Sequence, residues 1–223
     1  MAKPGYNQYC GVARAAEVLG ERWNLLIVRD LLIGPERYGE LLAGLPGLSS
    51  NVLASRLRDL EARGVVRRRL LPRPASGTVY ELTEYGHDLE DILSGMAAWG
   101  ARSLGERTEG QGGRPVVASL QLRRALSHLV TTDDTPGAPS IVVVDYGSEA
   151  VTFTCAAESC TTTWGRAPDP DVVLTTRPDV VMSILGGHLA PHQAAAEGRL
   201  AITGRAELAA RVIDRLTTHA TAS

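Results

Sequence analysis

The sequence lacks several features that identify common classes of protein. Its formal net charge is −2, so it has no large basic excess of the kind typical of proteins that coat nucleic acids without sequence preference. Charged residues or glycine interrupt every apolar run well before about 18 residues, which predicts no membrane span. The three cysteines stand at irregular spacing, which does not indicate a disulfide framework and favours a reducing cytoplasm. We therefore expect a cytoplasmic protein.

The sequence also lacks the motifs on which common catalytic sites are built. It contains no glycine-rich phosphate loop, no Gly-x-Ser-x-Gly elbow and no metal-spaced His/Glu pair. Cys155 and Cys160, in the segment CAAESC, do not have zinc-knuckle spacing, and no second ligand pair follows them. We therefore expect no enzymatic activity, no metal and no cofactor, and we interpret both cysteines as strand residues.

The length of the chain, 223 residues, is suited to two domains of about 100 residues each. Residues 105–115 are rich in glycine and polar side chains, a composition typical of linkers. We predict a first domain at 1–106, a linker at 107–115 and a second domain at 116–223.

Helical periodicity with Gly and Pro stops predicts a mainly helical first domain that contains one hairpin. The predicted elements are helices at Tyr9–Leu19, Trp23–Leu31, Tyr38–Leu45 and from Ser49 or Ser50 to Arg63, strands at Val65–Leu71 and Thr78–Leu82, and a helix at Thr83–Leu104. The last helix has more apolar positions than one small core needs, with Trp99 among them. This surplus indicates a partner surface.

Charge is strongly polarised along the first domain. Seven arginines and two carboxylates give Leu53–Ala75 a local charge of +5, whereas Val79–Asp91 carries −5. One face can therefore meet phosphate while another is repelled by it. Taken by itself, the arginine run is equally compatible with a solvated surface. The order of helix, Pro-Gly turn, polar and basic helix, and basic hairpin predicts a winged helix-turn-helix, whose second helix enters the major groove of DNA.

The first two turns of this recognition helix are predicted to contact bases. The predicted base-contacting residues are Ser50, Asn51, Ser55 and Arg56. Asn51 suits adenine and Arg56 suits guanine by bidentate geometry. The residues predicted to contact phosphate, which sets register without reading sequence, are Arg37, Arg58, Arg69 and Arg73. An ordinary place on the helix surface is the alternative for Asn51 and Ser55.

Several motifs follow one another in order along residues 8–105. They are a Trp that opens the second helix, Arg-Tyr-Gly-Glu-Leu, Leu-Pro-Gly-Leu-Ser, Leu-x-x-Leu-Glu-x-x-Gly, and Tyr-x-Leu-Thr after the hairpin. This set resembles the HxlR-type family of winged-helix regulators. The resemblance implies a homodimer, formed through Tyr9–Leu19 and Thr83–Leu104, that binds a two-fold-related operator in double-stranded DNA. The chain departs from the family at Cys10-Gly11, where Cys-Pro is usual.

In some relatives the cysteine equivalent to Cys10 senses oxidants or electrophiles. A thiol does so when it is partly exposed and its pKa is lowered by a helix N-terminus or a nearby cation. Cys10 lies where such a helix is predicted to begin. The alternative is a small apolar residue that packs in the dimer interface.

The second domain is predicted to be α+β. The predicted elements are helices at Val116–Val130, Pro178–Leu185 and Ala206–Thr217, and strands at Ser140–Asp145, Ala150–Cys155, Val172–Thr176 and Leu200–Thr203. Residues 170–216 resemble the C-terminal half of sterol-carrier-protein-type domains. Such domains pack a five-stranded sheet and helices around an apolar tunnel, which implies an apolar small-molecule ligand.

The helix at Pro178–Leu185 is apolar nearly all round, so it must be covered on both sides or line a cavity. The residues predicted to bind the ligand are Phe153, Trp164, Met182, Leu185 and Leu189, with His188 and His192 as polar anchors. Ordinary core and surface roles are the alternative for each of them.

Three functional hypotheses follow. The first is a transcriptional repressor whose DNA affinity is modulated by an apolar ligand bound in the second domain. The second is a carrier or sequestering protein for a lipid or natural product, in which the winged helix serves mainly for dimerisation. The third is a thiol-based sensor that acts through Cys10.

Overall fold

A computed structural model describes residues 5–73, 76–101, 103, 114–127, 129, 139–156 and 159–222. The chain divides into two compact units, Met1–Gly113 and Arg114–Ser223. Most of the predicted linker at 107–115 lies outside the described residues, and its limits stay a prediction. Within the described part of the chain, no helix has both the length and the apolar character that a membrane crossing requires.

The first unit is a winged helix-turn-helix, as predicted. Its elements are α1 (Gly11–Leu19), α2 (Asn24–Leu31), β1 (Glu36–Arg37), α3 (Tyr38–Gly44), α4 (Ser50–Ala62), β2 (Val66–Leu71), β3 (Gly77–Leu82), α5 (Glu84–His87) and α6 (Leu89–Ala101). Helices α3 and α4 form the helix-turn-helix pair, and β2 and β3 form the wing. Strand β3 pairs antiparallel with both β1 and β2.

The core of the first unit is aliphatic. Helix α4 buries Leu53, Leu57 and Leu60, which follow one another at intervals of four and three residues and therefore share one face. Helical spacing in the sequence predicts that these three residues and Val52 face inward, and the structure confirms this for the three leucines. Val52 is instead 39% exposed, because it stands one position away from that face.

The predicted helix at Thr83–Leu104 is corrected to two helices, α5 and α6. Thr83 begins α5, where its hydroxyl oxygen accepts a hydrogen bond from the Gly86 N–H at 3.1 Å and donates to the Gly64 carbonyl at 2.6 Å. A Cβ at position 86 would collide with the Val65 carbonyl oxygen. Glycine therefore permits the close approach that fixes α5 against the wing. The apolar periodicity did not reveal the break because it continues through both helices.

The second unit is α+β and contains a five-stranded sheet, as predicted. Its elements are α7 (Val116–Leu126), β4 (Ser140–Asp145), β5 (Ala150–Cys155), β6 (Cys160–Trp164), β7 (Val172–Thr176), α8 (Pro178–Leu185), α9 (Pro191–Ala196), β8 (Leu200–Gly204) and α10 (Ala206–Ala222). The strand order is β6-β5-β4-β7-β8. Strands β4 and β7 run parallel, and the other neighbours run antiparallel. Helix α9 was not predicted, because its six residues span less than two turns.

Helix α8 is covered by its neighbours in the second unit. Val180, Val181, Ile184 and Leu185 are buried, and the helix packs against α7 and α10. Of the two alternatives left open by its sequence, coverage on both sides therefore describes most of its surface. Met182 is the exception, at 41% exposed.

Cys155 and Cys160 lie at directly opposite positions of β5 and β6 and are joined by a disulfide. Their interpretation as strand residues is confirmed, whereas the bridge contradicts the expectation from cysteine spacing that no disulfides are present. The reason is that opposition depends on the register of the hairpin. The N–H of Ala156 donates to the Ser159 carbonyl at 2.7 Å and closes the connection between the two strands.

Candidate nucleic-acid interface

The start of α4 is held in place by two neighbouring side chains. The Ser49 hydroxyl accepts a hydrogen bond from the Val52 N–H at 3.4 Å, so the predicted serine cap is Ser49. From α3, the Tyr38 hydroxyl donates to the Ser50 carbonyl at 2.5 Å and lies 2.9 Å from the Ser50 hydroxyl. The first turn of the recognition helix is therefore fixed relative to α3.

The residues predicted to contact bases differ in their surroundings. Ser50 and Asn51 are exposed at the start of α4, and Ser55 is half-buried one turn later. Exposed polar side chains at this end of a recognition helix are those that can reach base edges in the major groove. Contacts between these three residues and bases stay a prediction.

The position of Arg56 corrects the expected guanine contact. Its Nη1 lies 2.9 Å from Glu21 Oε2, and its Nη2 lies 3.5 Å from Asp59 Oδ2. Only 17% of the side chain is exposed. The guanidinium therefore lies between Glu21, at the corner between α1 and α2, and Asp59, one turn further along α4.

Two of the predicted phosphate-contacting arginines are directed elsewhere. Arg37 donates through both Nη atoms to the Ser76 carbonyl at 3.1 Å and so ties β1 to the wing. In the wing, Arg69 Nε lies 2.7 Å from Glu81 Oε2, and Arg67 Nε lies 2.8 Å from Glu81 Oε1. Burial raises the pKa of Glu81, but the hydrogen bonds from Arg69 and Arg67 outweigh it and hold the pKa below the usual value. The Glu81 carboxylate therefore offsets part of the positive charge of the wing.

The other two predicted phosphate contacts are exposed. Arg58 lies on α4 and donates through Nε to the carbonyl of Ala54 at 3.2 Å, and Arg73 follows the end of β2. Strand alternation predicted that only one of Arg67 and Arg68 would face solvent. In the structure both are exposed, at 65% and 57%. The two faces of a narrow wing both reach solvent, which explains the difference.

Apolar side chains are exposed on α1 and α6. Val12 on α1 is 78% exposed, and Ile92, Met96 and Trp99 on α6 are 54%, 46% and 74% exposed. These positions lie within the two segments that the family resemblance assigns to dimerisation. Exposed apolar residues in such number are typical of an interaction surface.

Cys10 lies immediately before α1 and is exposed. The backbone N–H groups of Ala13 and Val12, in the first turn of α1, lower the pKa of its thiol. Unpaired amides at the start of a helix stabilise a thiolate in this way.

Comparison with protein families identifies both units. The HxlR-like helix-turn-helix family matches residues 18–108, and the SCP-2 sterol transfer family matches residues 140–216. A Bacillus subtilis relative, the uncharacterized HTH-type transcriptional regulator YvaP, is 42% identical over 86 residues, which are 39% of this chain and 80% of that protein. The chain belongs to the HxlR-like family.

Other HxlR-like relatives agree with this assignment. The HTH-type transcriptional regulator YodB of Bacillus subtilis is 40% identical over 85 residues, which are 38% of this chain and 76% of that protein. A solved structure of reduced YodB is 34% identical and covers 45% of this chain and 100% of its own, with a TM-score of 0.39. Both curated relatives are described as HTH-type transcriptional regulators. The chain is accordingly a transcriptional regulator of the HxlR type that carries an SCP-2 domain.

The residues predicted to bind an apolar ligand are divided between the interior and the surface of the SCP-2 domain. Phe153, Leu185 and Leu189 are buried, at 0%, 5% and 7% exposed. His188 and His192 are exposed, in the turn after α8 and on α9, and their predicted role as polar anchors stays a prediction.

One face of the Trp164 ring is covered by an arginine. The guanidinium of Arg114 lies 3.6 Å from the centre of its ring, a cation–π distance, and Arg114 Nε lies 3.0 Å from Glu149 Oε1. A ligand that contacted this face of Trp164 would first have to displace Arg114.

Sequence reasoning missed two residues that shape the HxlR-like interface. Tyr38, inside the Arg-Tyr-Gly-Glu-Leu motif, holds the start of α4. Glu21, two residues before the motif's Trp, lies 2.9 Å from Arg56. Tyr38 was visible as part of a motif and Glu21 was not, and neither motif nor spacing indicated that their partners would lie in α4.

Proposed function

We propose that this regulator is a homodimeric repressor that reads a two-fold-related operator and responds to an apolar small molecule in its SCP-2 domain. One observation carries the DNA-reading part. The start of α4 presents Ser50 and Asn51 to solvent, while Tyr38 and Ser49 hold that turn in place. Rigid support of exposed polar groups favours base reading, because little freedom is lost when DNA binds.

The apolar residues exposed on α1 and α6 support the dimer. A second copy would cover Val12 and Trp99, which otherwise face water. A two-fold dimer presents two recognition helices to successive turns of one DNA face, a geometry that matches an operator with two half-sites.

The similarity of residues 140–216 to the SCP-2 sterol transfer family supports an apolar ligand. A ligand changes DNA affinity only by binding the DNA-competent and DNA-incompetent states with different affinities. Phe153, Leu185 and Leu189 are the candidate contacts that remain in the domain interior.

The repressor proposal is tested by electrophoretic mobility shift on the promoter region of the protein's own gene. We expect a preference for one promoter fragment over random duplex, and weaker binding when a fluorescent fatty acid, used as an apolar probe, is added. Probe binding combined with a salt-sensitive DNA affinity that is the same for every sequence would contradict the proposal. That result would favour a carrier that uses the winged helix mainly for dimerisation.

Thiol sensing is a second candidate, favoured by the exposed Cys10 at the start of α1 and by its lowered pKa. Because thiolate is the reactive form, modification with iodoacetamide should reach half its maximal rate below the pH found for a free cysteine, about 8.5. We expect diamide, a thiol oxidant, to change promoter binding by the wild type but not by Cys10→Ser. An equal response of the two proteins would exclude sensing through Cys10.

A further inference from the structure

We propose that the ion pair between Glu21 and Arg56 positions the recognition helix α4 relative to the dimerisation helix α1. In this role Arg56 is a positioning residue that sets the spacing of the two recognition helices and does not itself read a base. The inference rests on the proposed function, because spacing has meaning only in a dimer that binds two half-sites.

The pair joins two distant parts of the first unit. Glu21 follows α1 by two residues, whereas Arg56 lies in the middle of α4, and their charged atoms are 2.9 Å apart. The Arg56 side chain is 17% exposed and that of Glu21 is 35% exposed. Partly buried charges are screened less by salt than fully exposed ones, although Arg56 Nη1 makes no hydrogen bond to any residue that the structure describes and the contact is an ion pair by distance alone.

The corner that carries Glu21 is itself tightly fixed. Asn24 is buried and donates through Nδ2 to the carbonyl of Val18 at 2.7 Å, which joins the start of α2 to the end of α1. The Asn24 N–H also donates to the Glu21 carbonyl at 3.1 Å. Between them Trp23 adopts a positive φ of 86°, a conformation that a bulky residue keeps only when its surroundings hold it there. The backbone at Glu21 is therefore held in place relative to α1. A contact between Glu21 and α4 consequently restrains the position of α4 relative to α1.

The arrangement is hard to reconcile with base reading by Arg56. To reach a guanine, the guanidinium would have to leave both Glu21 and Asp59. In the proposed dimer the retained pair has a clear use. Half-sites on one face of DNA are about 34 Å apart, and a recognition helix tied to the dimer helix holds that separation.

The experiment measures the affinity and spacing preference of the full chain for its operator. The variants are Glu21→Gln, Arg56→Gln, the double variant and the conservative Arg56→Lys. The probes are the operator and two versions that have one base pair added or removed between the half-sites. Glu197→Gln is the matched control, because it removes the carboxylate of an ion pair of similar length, 3.1 Å to Arg199, in the second unit.

We expect each Gln variant to lose affinity for the operator about tenfold, and the double variant to lose little more than either one, because both remove the same contact. Adding or removing one base pair between the half-sites should reduce the affinity of these variants less than it reduces the affinity of the wild type. Arg56→Lys should keep part of the affinity, and Glu197→Gln should behave as the wild type.

Two results would overturn the inference. One is wild-type affinity and spacing preference in both Gln variants. The other is a loss of operator affinity that occurs only in Arg56→Gln and disappears when one particular base pair of the operator is changed. That pattern is expected if Arg56 contacts that base pair. In either case a wild-type preference for the operator leaves the proposed function standing. A wild type without any operator preference overturns the proposed function, and the positioning role with it.

Discussion

The two units differ in where their functional chemistry is expected. In the first unit the proposed DNA contacts lie on the surface, at the exposed start of a helix whose opposite face is a plain aliphatic core. In the second unit the proposed ligand contacts lie in the interior, where Phe153 and Leu185 are buried like any core residue. In the first unit, burial therefore distinguishes the residues that stabilise the fold from those proposed to bind DNA. In the second unit, burial does not distinguish core residues from those proposed to bind the ligand.

This difference decides how each set of predicted residues can be tested. A polar residue on an exposed helix face has no role in the core, so its substitution tests binding with little effect on the fold. An apolar residue in a sheet interior is expected whether or not a ligand is bound, so its substitution disturbs packing as well as any ligand contact. Experiments that distinguish packing from binding therefore matter most in the second unit.

The largest effect is expected from Phe153→Ala in the second unit. If Phe153 is packed as a core residue, its truncation should lower the free energy of unfolding by about 3–5 kcal/mol. Urea denaturation measures this loss, with Phe153→Leu as a control that preserves most of the volume. A loss near zero would instead indicate that Phe153 borders an existing space, and the comparison between the two units would break down.

A smaller effect is expected from Asn51→Ala at the exposed start of α4. Loss of one bidentate base contact should weaken operator binding by about 1–3 kcal/mol, with little change in binding to random duplex or in stability. Fluorescence anisotropy with both duplexes measures it. Unchanged operator binding would place Asn51 on the helix surface without a role in reading DNA.

Next come two arginines that the structure places in different surroundings. Arg58→Ala should reduce the slope of log K against log salt by about 0.9 if Arg58 contacts one phosphate. Arg69→Ala should change the slope less, because Arg69 is held by Glu81. Titrations at several salt concentrations compare the two variants. Equal slopes would mean that Arg69 exchanges Glu81 for phosphate when DNA binds.

The smallest effect concerns the pH dependence of the wing. Because the pKa of Glu81 is lowered in the folded protein, its contribution to stability is complete above the usual glutamate pKa and is lost as the pH falls below it. In thermal unfolding experiments, the difference in stability between the wild type and Glu81→Gln should therefore become smaller as the pH is lowered from about 6 to about 3. A difference that does not vary with pH would show that the two arginines do not stabilise the ionised form.

The sequence predicted secondary structure best where local signals were strong. The strands at Ser140–Asp145 and Val172–Thr176 and the helix at Pro178–Leu185 have the predicted limits. Predictions were weaker where an element depends on distant partners. β1 has two residues and exists only because it pairs with β3. α6 begins as a separate helix because α5 is anchored to the wing through Thr83 and Gly86.

The sequence by itself determined the two families, the inward face of α4 and the exposed polar residues at its start, because motif order and helical periodicity are local properties. Only the tertiary structure decided which charges meet. It paired Arg56 with Glu21, Arg69 with Glu81 and Arg114 with Glu149. An arginine can reach any carboxylate that folding brings within a few ångströms, so its role follows from three-dimensional distances that residue spacing does not contain.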